Sequence, residues 1–339
     1  MHRVPILRAM RQRAKQLVTP GTTAVLAAAL FALPVALASG GHAHTPHAAA
    51  GAPAKSPRCF GAASRDPVVP CRNPALRYDV IPTPDDALIS PNAPCDPIYK
   101  SVPYQCVFGE DEATASGTVA LLGDSHATHW RGALIKVAAA FKWHGVSMTR
   151  SGCPFSTAEP KLPGKLKQEC IDWRTQVYQW FTDHPEVRTV FISQHPGNVV
   201  VPPGKTERQT KLTGFRDAWK LLPKTLKHIL IIRDTPYVKT GTDDCVNKAI
   251  HKHEDAGAVC ELPRSTSLKV DDAADAAVRY KIPGLRLVDM TRYMCDDTYC
   301  YPVVGGALTH KDIGHITAVF SDTMGPMLLR KVRALGVKV

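Results

Sequence analysis

Ser125 follows the apolar stretch 119–122 and a Gly123-Asp124 pair, while Asp312 and His315 stand close together near the far end of the chain. A serine placed where a strand gives way to a helix can serve as a nucleophile, but its hydroxyl is weak until an imidazole takes its proton. A carboxylate must in turn hold that imidazole in the right tautomer, and Asp312 suits that task for His315. Their spacing lets the carboxylate reach Nδ1 within one turn while Nε2 faces the serine. The order serine, aspartate, histidine along the chain is one that hydrolytic folds have reached by convergence. Taken singly, each residue has a plainer use, since Ser125 and Asp312 also suit helix caps and His315 suits a surface.

Positioning these groups calls for a scaffold of alternating strands and helices after Gly117. Apolar runs predict strands over 119–122, 146–149, 189–193, 228–232 and 285–288. Helical spacing predicts helices over 128–143, 165–181, 215–226, 271–280 and 316–335. This alternation predicts a three-layer α/β/α fold with a mostly parallel sheet of about five strands. Ligands in such sheets bind beyond the carboxyl ends of the strands, and Ser125 lies just past the end of the first. The helix N-terminus there turns free N–H groups toward an oxyanion forming on an acyl carbon.

The first 38 residues differ from the rest: Arg3, Arg8, Arg11, Arg13 and Lys15 precede an apolar run ending Ala36-Leu-Ala38. This pattern predicts an export signal cleaved after Ala38, with a retained membrane anchor as the alternative. Residues 39–56 are rich in Gly, Ala, Pro and His and read as a disordered linker, in which His42, His44 and His47 are solvated. Residues 57–116 form a Cys- and Pro-rich extension whose apolar text is too sparse for its own core. Residues 117–339 form the catalytic domain.

All ten cysteines lie beyond the leader, and an even count in an exported chain predicts disulfides. They fall as five close couples, giving Cys59–Cys71, Cys95–Cys106, Cys153–Cys170, Cys245–Cys260 and Cys295–Cys300. No Cys-x-x-Cys knuckle is present, so no metal site is read from them and the chemistry calls for no cofactor. The formal net charge of +12 falls once the five basic residues of the leader are removed, leaving a mildly basic surface. No Lys/Arg tract with interleaved aromatics marks a nucleic-acid site, so nucleic acid is excluded as a partner.

Gly123-Asp-Ser-His126 with Asp312-x-x-His315 resembles the SGNH (GDSL-type) esterase and acyltransferase superfamily. The cysteine-rich lead-in, Ser151-Gly-Cys-Pro154 and the stretch from Cys295 through Gly306 are similar to SGNH domains joined to membrane acyltransferase-3 proteins. The resemblance implies a flavodoxin-like sheet, Ser125, Asp312 and His315 as the catalytic triad, and acyl-enzyme chemistry. It also implies a glycine and an asparagine as further oxyanion donors. Gly152 fits the first place, while Asn198, with Gln194 beside it, fits the second less well. Losing one such donor costs roughly 10²–10³ in rate, which would suit transfer to a sugar better than hydrolysis.

These readings converge on an exported O-acyltransferase or esterase, of acetyl groups in particular, acting on a cell-envelope polysaccharide. A separate membrane acyltransferase would supply acyl groups in the transfer direction. Two alternatives remain open to the sequence: a catalytically silent carbohydrate-binding protein on the same scaffold, and a membrane-tethered partner of an acyltransferase. Trp130, Trp143, Trp173 and Trp180 read as packing residues, and His126 and His129 as site wall or helix surface.

Overall fold

The computed structural model describes residues 56–338. The leader, its cleavage point after Ala38 and nearly all of the linker lie outside these residues. Among the described residues, no helix is long and apolar enough to cross a membrane.

A seven-stranded sheet carries the fold. Its strands are β1 (Asp96–Ile98), β2 (Gln105–Gly109), β3 (Gly117–Gly123), β4 (Trp143–Thr149), β5 (Thr189–Ser193), β6 (His228–Ile232) and β7 (Leu285–Val288). In space they run β1-β2-β4-β3-β5-β6-β7. Strands β3 to β7 are parallel, β2 pairs antiparallel with β4, and β1 antiparallel with β2. The parallel strands are the five that periodicity anticipates. The other two come from the cysteine-rich lead-in, and the sequence hides them for a physical reason: β1 is exposed throughout and contains Pro97, which only a sheet edge tolerates.

The helices that matter to the site and the two cores are α1 (Ser125–Thr128), α2 (Arg131–Phe141), α3 (Gly164–Asp183), α4 (Glu207–Lys220), α5 (Thr242–Lys252), α6 (Asp272–Arg279) and α7 (Ala318–Ala334), of which α5 packs apart from the sheet. Along β3, Val119 and Leu121 face one core while Ala120 and Leu122 face the other. The same alternation holds for Phe191 against Val190 and Ile192, and for Leu230 and Ile232 against Ile229 and Ile231. Burial on both faces explains why these strands read as unbroken apolar runs. Leu134, Val137 and Phe141 of α2 pack with Phe320, Met324 and Leu328 of α7 on the first face. Trp173, Val177 and Phe181 of α3 join Phe215 and Trp219 of α4 on the second.

Helix boundaries differ from the sequence reading where local chemistry overrides periodicity. The helix expected over 128–143 is two helices, and it ends at Phe141 because Lys142 adopts a left-handed conformation, φ 53°. Trp143 therefore opens β4 rather than closing a helix. The helix expected over 215–226 begins at Glu207, where Thr206 and Gln209 form a capping box. Its end precedes Pro223. Helix α5 carries no strong apolar run and is not anticipated.

The cysteines are joined as Cys59–Cys71, Cys95–Cys106, Cys153–Cys170, Cys245–Cys260 and Cys295–Cys300. Two of these bonds staple the lead-in; Cys153–Cys170 is buried and ties the loop after β4 to α3. The lead-in shares the main core through Phe60, Ala62 and Leu76. Ala62 N–H also donates to Thr323 Oγ1 on α7 at 3.1 Å, and Asp66 pairs with Arg330.

Gly123, the last residue of β3, has φ 136°, and a Cβ there would sit 1.8 Å from the Ser193 carbonyl oxygen. Close approach of β3 and β5 thus requires glycine immediately before Asp124 and Ser125. Gly123→Ala is expected to cost about 3 kcal/mol of stability through strain and overpacking. Urea denaturation checks this, and a midpoint unchanged from wild type would refute the requirement.

Candidate functional site

The carboxyl ends of β3, β5 and β6 meet at one rim of the sheet. β3 ends at Gly123, and Asp124 then caps α1 by accepting a hydrogen bond from His126 N–H at 2.9 Å. Ser125 is thereby fixed as the first residue of α1, half-buried at the rim. Asp124 is fully buried and also accepts from His195 N–H at 2.9 Å and from the side-chain amide of Asn198, both in the loop after β5. Burial pushes the Asp124 carboxyl up, and the charge of His126 and these N–H donors pull it back.

The other half of the site is a tight loop between the two-residue strand Ala307–Leu308 and α7. His310 bridges Ile316, and Lys311 N–H donates to the His315 carbonyl at 2.9 Å. The loop is anchored to the segment after β6, where Val238 N–H donates to the Ile313 carbonyl at 3.0 Å. Thr317, rather than Asp312, caps α7 by accepting from Phe320 N–H at 3.0 Å. Asp312 is left to accept from the N–H groups of Gly314 and His315 at 2.9 and 2.7 Å.

Across a sequence gap of 190 residues, His315 Nε2 lies 2.9 Å from Ser125 Oγ. Its Nδ1 lies 2.9 Å and 3.0 Å from the two Asp312 oxygens. An ionised carboxylate only accepts, so Nδ1 carries the proton and Nε2 is left to accept from the serine hydroxyl. Burial works to raise the Asp312 carboxyl, yet the hydrogen bonds from the His315 ring and from two backbone N–H groups outweigh it. The net result holds Asp312 well below the usual carboxylate range. The arrangement can pass a proton from Ser125 to His315 while Asp312 keeps the imidazole oriented.

Gly152 lies in the exposed turn after β4, with φ 67° and open space around its Cα. β4 is the neighbour of β3, with Thr149 opposite Gly123, so this turn borders the rim that carries Ser125. Asn198 reaches the same rim, but one of its amide protons is used by Asp124. The second proton of that amide remains for another acceptor. Gln194 is in the core, with its carbonyl oxygen accepting from Phe155 N–H at 2.8 Å.

Of the two places the sequence left open for His126 and His129, site wall or helix surface, the second is excluded, since each is only 2% exposed. His126 Nδ1 lies 2.7 Å from Asp234 Oδ1, at the end of β6, and its ring is 4.7 Å from that of His315. His195 and Tyr237 complete this aromatic surround, at 4.5 and 6.0 Å from the His126 ring. A pair of histidines three apart directly after the serine is the one sequence signal that could have pointed to them; Asp234 gave none. A cavity of about 290 Å³ opens beside Asp312 and Ile313 and is also lined by Val238, Leu308 and Leu88 of the lead-in.

His310 is 7% exposed, and burial pulls its imidazole down to about 4 from 6.5, against the opposing pull of the Pro236 carbonyl and Asp312. Between these values the unfolded chain binds a proton that the folded chain refuses, so stability rises with pH in this window and falls as the solution is acidified. The slope from this residue is about 1.4 kcal/mol per pH unit. Chemical denaturation from pH 7 to 4 checks it, and His310→Gln should flatten the curve by that amount.

The family model described as SGNH domain (fused to AT3 domains) matches residues 92–330. No curated protein sequence matches the chain. Among solved structures, the periplasmic domain of a lipopolysaccharide acetyltransferase from Salmonella ser. Paratyphi A is similar over 65% of this chain and 85% of that one, with a TM-score of 0.51 and 14% identity. At that identity the likeness concerns the fold. The family match spans most of the chain and takes in both ends of the site, and the protein therefore belongs to the SGNH domain family of the kind fused to AT3 domains.

Proposed function

We propose that this protein is an exported serine-dependent O-acyltransferase or esterase that moves small acyl groups, acetyl above all, on a cell-envelope polysaccharide. The observation that carries the reading is the 2.9 Å approach of His315 Nε2 to Ser125 Oγ, with Asp312 on the opposite ring nitrogen. In the first half-reaction Ser125 Oγ attacks the acyl carbonyl as its proton passes to His315, and the departing alcohol takes that proton. In the second, a sugar hydroxyl or water gives a proton to His315 and its oxygen takes the acyl group from Ser125. Asp312 stays ionised throughout and stabilises the imidazolium.

The start of α1 offers the Ser125 N–H to the oxyanion, the next three N–H groups being taken by Asp124, and Gly152 and Asn198 are the further donors in this reading. Five disulfides suit an oxidising compartment outside the cytoplasm. The family description, with its AT3 fusion, supports a membrane acyltransferase as the source of acyl groups for transfer.

Hydrolysis of an aryl acetate by the purified protein tests the chemistry. Ser125→Ala should abolish turnover, and Asp312→Asn should lower kcat by about 10⁴ by releasing the wrong tautomer. Turnover that persists in Ser125→Ala would rule out the triad, and no turnover by the wild-type protein would leave the catalytically silent carbohydrate-binding scaffold as the reading. The direction follows from envelope glycan esters in cells: more esters with Ser125→Ala mark an esterase, fewer a transferase.

The oxyanion assignment has its own test. Asn198→Ala should lower kcat by roughly 10²–10³ with little change in KM if its free amide proton meets the oxyanion. An unchanged kcat would confine Asn198 to holding Asp124.

A further inference from the structure

We propose that His126, His129 and Asp234 form a binding site for a divalent transition cation, zinc by preference, directly behind the catalytic imidazole. Each offers one donor atom, and the three atoms lie within 4.8 Å of one another. All three residues are buried, at 2%, 2% and 4% exposure. Two imidazoles and one carboxylate are a ligand set that zinc accepts, with a fourth position left for water.

The observation that points to a ligand is a concentration of unmet polar groups. Neither ring nitrogen of His129 has a hydrogen-bond partner, and Asp234 Oδ2 has none either. The Tyr237 hydroxyl stands beside Asp234 and bears on its carboxyl as a hydrogen-bond donor, so the clearest unmet groups are the two ring nitrogens of His129. A folded chain rarely leaves buried groups in this state unless water or an ion completes them. A metal ion would bind His129 through one nitrogen and take the place of the proton that now joins His126 Nδ1 to Asp234 Oδ1.

Charge supports the same conclusion. Asp124, Asp234 and Asp271 are all buried, at 4% exposure or less, and none is within ion-pair distance of a lysine or arginine among the described residues. Buried carboxylates are ordinarily paired or coordinate metals. The backbone that carries two of the ligands is fixed as well: Asp234 N–H donates to Asp271 Oδ2 at 2.9 Å and His126 N–H to Asp124 Oδ1 at 2.9 Å. His126 and His129 share α1 and its following turn with Ser125, so a cation here would lock the nucleophile's helix to the end of β6.

The test is metal analysis of the untagged full chain after incubation with Zn²⁺ and exhaustive dialysis. Wild type should retain one zinc per chain, and so should a variant with His42, His44 and His47 replaced by alanine, which removes the histidines of the linker. His129→Ala and Asp234→Asn should each reduce retention at least tenfold. Loading with Co²⁺ gives a second readout, since a four-coordinate site shows intense visible absorption that the same two variants should lose. Folded wild-type protein that retains no zinc would overturn the proposal, leaving water as the partner of these groups. Retention undiminished in both His129→Ala and Asp234→Asn would overturn it equally. Neither outcome bears on the triad, whose test is aryl acetate turnover.

Discussion

The site depends on one buried carboxylate that never touches the reacting atoms. Asp124 has no exposed surface, and it accepts from the start of α1 and from two groups of the loop after β5. Those bonds fasten the helix that begins with Ser125 to the neighbouring strand's loop. An ionised acceptor with several N–H donors makes stronger bonds than a neutral one, and low polarity around it strengthens them further. Removing any one donor would leave a buried charge short of partners, so the arrangement is rigid. Gly123 belongs to the same constraint, because only glycine lets β3 come close enough to β5 for the Asp124 carboxylate to reach that loop.

The histidine half of the site follows a different principle. Asp312 and His315 belong to one short loop, and their contact needs no long-range organisation beyond the turn that holds them. The loop's position is what needs explaining. It is bound to the segment after β6 at Val238 and capped into α7 by Thr317. Helix α7 in turn packs on α2, the helix that follows the serine's own. Ser125 and His315 are therefore carried by segments that lead into two helices of one core.

Burial of titratable groups is concentrated around this point. His126, His129 and three aspartates sit near Ser125 and His315 with little or no exposure. Scaffolds do not gather such groups for stability, because each loses hydration on folding and regains it only through well-made partners. Their placement at the carboxyl ends of β3 and β6 matches the position where parallel sheets generally bind ligands.

The amino-acid sequence by itself determined the five parallel strands, because burial on both faces demands continuous apolar text over 119–122 and its counterparts. It also determined what is local: the Asp312–His315 spacing, and cysteine couples close enough along the chain to be natural partners. Tertiary structure alone decided the rest. β1 and β2 exist because β4 offers an edge, not because of their own propensity. Thr317 caps the last helix where the text offered Asp312 just as well. His126 and His129 could be site wall or helix surface until the fold sets His126 against Asp234 and the loop of Gly314, and Asn198 acquires its partner only when the loop after β5 folds over Asp124. The 190-residue closure that brings His315 to Ser125 is the clearest case. Spacing reports which groups share a turn, whereas contact between distant segments is set by how the sheet orders its strands.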